Sequence, residues 1–131
     1  MILVACDEND DGDKNLVDCN KIAIISSEQY EGAANDALTI NSLEIINDSL
    51  KINFGASGCS GDSWVLKLID SEDIIEVFPP QRNLRLSLKN EELCDAYFSK
   101  ELSFCIFNLK VDGDQVVLNL TNSNKSILYK Y

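Results

Sequence analysis

The chain has 131 residues, 45% of them hydrophobic, with 22 acidic against 11 basic side chains, a net charge of −11 and no histidine. That length makes one domain, burying roughly two thirds of its unfolded surface, and no apolar run approaches the ~18 residues of a membrane-spanning helix. The charge argues against nucleic acid, which needs clustered Lys and Arg, and without histidine the usual base for serine and cysteine nucleophiles and His-ligated metal chemistry are both missing.

In chain order, residues 1–18 read MILVACDENDDGDKNLVD. Leu3-Val4-Ala5-Cys6 resembles the bacterial lipobox, in which a short apolar run and small residues precede a cysteine that is lipidated and becomes the mature N-terminus. The resemblance implies that Cys6 carries the acyl chains and that residues 1–5 are the remnant of a signal peptide; two or more chains anchor a protein stably where one holds it only marginally. Asp7, Glu8, Asp10, Asp11 and Asp13 follow. An acidic run there is similar to the surface-export signal of Bacteroidetes-type lipoproteins, and such a charge block is also a solvated, self-repelling tether. The expected organisation is a remnant at 1–5, a lipidated acidic tether at 6–18 and a β domain at 19–131, held at the outer membrane of the cell envelope by its lipid. The six acids and one lysine of residues 7–18 account for −5 of the net charge, so the domain is acidic too.

The same stretch offers a rival reading. Asp7, Asn9, Asp11, Gly12, Asn15 and Asp18 occupy positions 1, 3, 5, 6, 9 and 12 of a D-x-[DN]-x-[DN]-G loop, which gathers oxygens around calcium while Gly permits the sharp turn. It resembles a dockerin-type repeat. Lys14 stands where an apolar residue should pin the loop, and no helix fits before residue 7. The anchor therefore ranks ahead of calcium, and no other cofactor is expected.

With Cys6 lipidated, Cys19, Cys59, Cys94 and Cys105 remain, an even set that points to disulfides in an exported domain and allows three connectivities. Cys59 sits in the turn Ser57-Gly58-Cys59-Ser60-Gly61 and Cys94 in the polar segment 90–95. Both flank strands, which favours pairing them and leaves Cys19 with Cys105. Inside an apolar strand, Cys105 also reads as a small buried hydrophobe.

Beyond the tether the chain reads as strands. Residues 22–25 form a short apolar run, and a loop with room for one helical turn follows at 29–36. Residues 38–46 alternate but slip by one at Asn41-Ser42, which predicts a bulge; Asn47-Asp48 then turns the chain into the alternation Leu50, Ile52, Phe54, a hairpin. Residues 55–63 read as a disulfide-pinned hairpin loop, Gly-rich enough to admit a phosphate but lacking the Lys of a P-loop. Residues 64–69 and 74–78 are two strands, closed by Pro79-Pro80, which cannot donate to a ladder. Leu84, Leu86 and Leu88 alternate with Arg85, Ser87 and Lys89, and with Arg82 these cations form the only basic stripe, read as a solvated face. Residues 90–100 open with a possible turn at Glu91-Glu92-Leu93, and 102–107, 116–120 and 127–131 are further strands. Some eight short strands between Gly, Asn and Asp turns predict an all-β fold, an antiparallel β-sandwich of immunoglobulin-like or similar type.

The aromatic residues read mostly as core, with Tyr97 or Tyr129 as the candidate rings of a carbohydrate platform. Asp48-Ser49-Leu50 resembles a short O-glycosylation motif of Bacteroidetes-type exported proteins. The SGCSG turn with the downstream ELCDAYF segment is similar to uncharacterised flavobacterial lipoprotein domains over most of residues 20–131, a resemblance that implies no activity. The expected function is an envelope-anchored lipoprotein whose domain binds or scaffolds a protein or glycan and does not catalyse. Calcium-dependent adhesion or glycan binding is the first alternative. A small carboxylate-based glycoside hydrolase is the second, because 22 acids offer many pairs though nothing marks one.

Overall fold

The computed structural model describes residues 21–131. The lipobox, the tether, the loop from Asp7 to Asp18 and Cys19 lie outside the described residues. The elements are β1 (Ile24–Ile25), α1 (Ser27–Gly32), β2 (Thr39–Ile46), β3 (Ser49–Gly58), β4 (Val65–Ile75), β5 (Gln81–Lys89), β6 (Ala96–Cys105), a 3-10 turn (Phe107–Leu109), β7 (Gln115–Leu120) and β8 (Lys125–Lys130). They build two sheets, β1-β4-β5-β7-β8 and β2-β3-β6.

The all-β, two-sheet architecture follows from alternation. Leu50, Ile52 and Phe54 on β3, Leu84, Leu86 and Leu88 on β5, and Val116, Leu118 and Leu120 on β7 are each at most 1% exposed, because period-two spacing puts them on one face of each sheet. Phe104, Leu68 and Tyr129 complete the core between the sheets. Not every pairing is antiparallel, however: β1 pairs with β4 and β5 with β7 in parallel. The cause is connectivity. After β5 the chain crosses to the other sheet for β6 and back again, so β7 enters beside β5 running the same way.

Several turns match their local chemistry. The predicted bulge falls between Ile40 and Ser42. In the β2–β3 hairpin Asn47 adopts φ 57°, the left-handed conformation that Asn tolerates. Ser26 caps α1, its Oγ accepting from the Gln29 N–H at 3.1 Å. The expected break between residues 69 and 74 is instead a bulge within the single strand β4, with Glu72 at φ 78° and its N–H donating to Asp70 Oδ2. The 55–63 segment is not a hairpin loop, because β3 and β4 belong to different sheets and the chain must cross between them. Nor is there a helical turn at 91–93. Ser49 of the glycosylation-like motif is buried within β3.

The basic stripe also dissolves. Arg82 has the same parity as Leu84, Leu86 and Leu88, so it points inward, where Nη1 meets Asp70 Oδ2 at 2.9 Å and Nε donates to Leu109 O at 2.8 Å. Burial pushes the Asp70 carboxyl up, opposed by the Glu72 N–H and the Arg82 charge. Arg85 does point outward, but its guanidinium donates to the carbonyls of Gln29, Tyr30, Ala33 and Ala34 and so fastens α1 and its exit onto the sheet. Replacing Arg82 with Met strands a buried carboxylate, which costs about 3–5 kcal/mol when a buried pair is broken. Urea denaturation should show that loss, whereas Lys89→Met, on an exposed partner of Glu91, should leave the midpoint nearly unchanged.

Candidate binding surfaces at the two ends of β4

β4 begins beside the crossing from β3 and ends in the β4–β5 tip, and both ends carry unusual surface chemistry. At the tip, Val77, Phe78 and the cis peptide Phe78-Pro79 join the two strands. Phe78 is 89% exposed and Val77 53%. Next to them lies a recess of about 350 Å³ lined by Ile74, Glu76, Val77, Pro80, Val111 and Asp112. Among the described residues, neither Glu76 nor Asp112 has a Lys or Arg partner. The surface is therefore apolar at its centre and uncompensated negative at its rim. Ile74, Val77 and Phe78 are exposed together at this tip, and a contiguous apolar patch rimmed by polar residues marks an interaction site where singly scattered residues do not.

At the opposite end, the crossing over residues 59–64 wraps around one carboxylate. Glu92 Oε1 accepts from the N–H groups of Cys59, Ser60 and Gly61 at 2.6, 3.0 and 2.9 Å. Its Oε2 accepts from the Ser63 N–H and Oγ–H at 3.2 and 2.7 Å. The Ser63 hydroxyl first, then these backbone donors, hold the Glu92 carboxyl down to about 2. Successive N–H groups converging on an anion form a nest, and here the anion is the protein's own. Gly58 permits the approach, since a Cβ there would meet Glu92 Oε1 at 2.6 Å, and Gly61 takes φ +79°. The disulfide Cys59–Cys94 ties the same two segments together, and Asn90 adds a third tie by donating from Nδ2 to Ser57 O at 2.6 Å. Trp64 forms the floor, stacked on Phe98 at 5.1 Å, with Lys100 Nζ 5.8 Å from its ring centre.

The two cysteines predicted to pair are joined. Cys105 is buried and disulfide-bonded; the expected pairing with Cys19 lies outside the described residues, as do Cys6 and the candidate calcium ligands Asp7, Asn9, Asp11, Asn15 and Asp18. Of the two candidate platform rings, Tyr129 is fully buried, its hydroxyl donating to Asp48 Oδ1. Tyr97 is 59% exposed and lies over Gly55 on the outer face of the three-stranded sheet, whose hydrogen-bonded row Ser99, Asn41, Asn53 and Glu101 runs nearby. Sequence reasoning missed Glu92 and Phe78. A signal existed for the first: a run of small residues around Cys59 leaves N–H groups uncovered, and Glu92 lies two residues from the partner cysteine.

Two outcomes follow. Removing the disulfide with Cys59→Ser and Cys94→Ser should cost about 2–4 kcal/mol in urea denaturation. Because the folded state holds Glu92 below its ordinary value near 4.5, the stability it adds is complete above that pH and is lost as pH falls toward about 2. A pH series of unfolding midpoints should therefore be flatter for Glu92→Gln than for the wild type within that window.

No protein-family model and no curated protein matches the chain. Solved structures are similar to it in fold. A NigD-like immunity protein from Bacteroides caccae superposes with a TM-score of 0.60 at 12% identity, over 85% of this chain and 59% of its own. A protein of unknown function from Bacteroides vulgatus does so with a TM-score of 0.51 at 19% identity, over 84% of this chain and 55% of its own. The chain thus spans less than two thirds of each, and at these identities the likeness establishes a shared small β fold.

Proposed function

We propose that the chain is an outer-membrane lipoprotein, acylated at Cys6 and tethered by residues 6–18, whose β domain binds a protein partner and does not catalyse. The observation that carries the binding reading is Phe78, a large aromatic side chain held out at the tip of a disulfide-bearing, well-packed domain. Water gains nothing from that ring, whereas an interface gains one of the residue classes that anchor apolar hot spots. The rim selects the partner. Glu76 and Asp112, without a Lys or Arg partner among the described residues, favour a surface that brings Lys or Arg around an apolar pocket. A second copy of this chain fits poorly, because two bodies of net charge −11 repel.

Phe78→Ser should lower affinity for the partner by ~30-fold or more, the scale of a hot-spot residue, without moving the unfolding midpoint, since the ring is exposed. The partner is to be identified by photo-crosslinking from position 77, and equal capture by wild type and Phe78→Ser would overturn the assignment. Cys6→Ser should abolish incorporation of labelled palmitate and release the protein from the membrane fraction; labelling that persists would remove the anchor.

Tyr97 supports a second reading, glycan binding. Its exposed ring beside the amides of Asn41 and Asn53 offers a stacking face and directional polar groups on one flat surface. Binding to a neutral oligosaccharide array that disappears with Tyr97→Ala supports it, and a silent array excludes it.

A further inference from the structure

The nest around Glu92 has one donor more than its occupant uses. Five groups already point at the two carboxylate oxygens. The sixth is the indole N–H of Trp64, which is 8% exposed and whose Nε1 has no acceptor among the described residues. It lies at the wall of the same cradle: Trp64 Nε1 and Glu92 Oε1 are both within 3.0 Å of the point a Cβ on Gly58 would occupy. A buried donor without a partner costs free energy comparable to a lost hydrogen bond. A planar carboxylate, with two oxygens, leaves it unmet. A tetrahedral oxyanion carries further oxygens directed out of that plane. Lys100 adds the charge such a ligand needs, its Nζ within 3.1 Å of the point a Cβ on Gly61 would occupy and 3.5 Å from Asp62 Oδ1.

We propose that residues 58–64 form a binding site for a tetrahedral oxyanion, a phosphate or sulfate group, in which Glu92 is a resident stand-in that the ligand displaces. Withdrawal of Glu92 exposes the Cys59, Ser60, Gly61 and Ser63 N–H groups, the Ser63 hydroxyl and the Trp64 indole N–H together. The disulfide sets how hard that is. Cys94 is two residues from Glu92, so with the bond intact the carboxylate competes at the high local concentration of a tethered group. Thiol–disulfide exchange with a dithiol, which becomes a disulfide as Cys59 and Cys94 become thiols, releases one of the ties that hold the 90–95 segment over the nest. The wild-type, oxidised protein is accordingly the weakest binder, and the Glu92-free protein the strongest.

The chain has a single tryptophan, so the indole proton resonance reports on this site alone. In Glu92→Ala, sodium phosphate titrated against sodium chloride at constant ionic strength should shift that resonance saturably. Its affinity should exceed that of the oxidised wild type by ~10-fold or more, the advantage of removing a tethered competitor. Reduced wild type should fall between the two. If Glu92→Ala does not fold, Glu92→Gln and the reduced wild type give the same reading. Methyl phosphate and methyl sulfate distinguish the source: equal or tighter binding of the esters assigns the site to an esterified ligand, and binding of inorganic phosphate alone assigns it to the free ion. An indole resonance that is the same in phosphate and chloride, in a folded protein lacking the Glu92 carboxylate, would overturn the proposal.

Discussion

Each time this chain leaves one sheet for the other it strips backbone groups of their ladder partners, and the fold depends on how those groups are repaired. The strand order requires such passages between β1 and β2, between β3 and β4, between β5 and β6, and between β6 and β7. Unpaired backbone polar groups are too costly to leave buried. In three of the four passages a charged side chain from elsewhere makes the repair. Arg85 takes the carbonyls of Gln29, Tyr30, Ala33 and Ala34 at the first. Glu92 takes the N–H groups of the second, and Arg82 takes Leu109 O at the last. Charged partners suit this task because charge-assisted hydrogen bonds are roughly twice as strong as neutral ones, and one guanidinium or carboxylate serves several backbone groups at once.

This use of charge explains the surface that remains. Both arginines of the chain, Arg82 and Arg85, are committed to carbonyls, and the Glu92 carboxylate is committed to N–H groups. Lys51, Lys89, Lys100 and Lys110 sit in surface pairs, with Glu44, Glu91, Asp62 and Asp48, which contribute little each. What faces solvent is chiefly uncompensated acid. An acidic exterior raises the repulsion between copies, and it is the background against which the proposed partner surface at Phe78 is set.

Much of the architecture was legible in the sequence because period-two alternation sorts faces without reference to tertiary structure: β3, β5 and β7 and the bulge in β2 could be read directly. Pairing Cys59 with Cys94 was legible because both lie at strand ends. What alternation cannot report is which neighbour a strand takes. The parallel pairing of β5 with β7 and the passage at residues 59–64 depend on sheet membership, which no local pattern encodes. Arg82 shows the limit most clearly: its parity with Leu84 placed it inward, but hydrophobicity argued for the outside, and only the position of Asp70 across the β4–β5 ladder decides for parity. Glu92 was hard to read for a related reason: its partners lie 29 to 33 residues away, and only the pairing of Cys59 with Cys94 brings the two segments together.

The tip and the nest stand at opposite ends of β4, whose 11 residues extend for roughly 35 Å at strand rise. Groups so far apart and without shared partners are energetically independent to within a few tenths of a kcal/mol unless a two-state element joins them. Between the ends of β4 lie Leu68, Ile69 and Asp70, all fully buried, and close packing of this kind resists continuous deformation. On these grounds a change at the proposed nest site is expected to alter the 90–95 segment and to leave Phe78 as it is. The two proposed surfaces are thus built from different chemistry at the two ends of one strand, backbone donors around a carboxylate at one and apolar side chains with an acidic rim at the other.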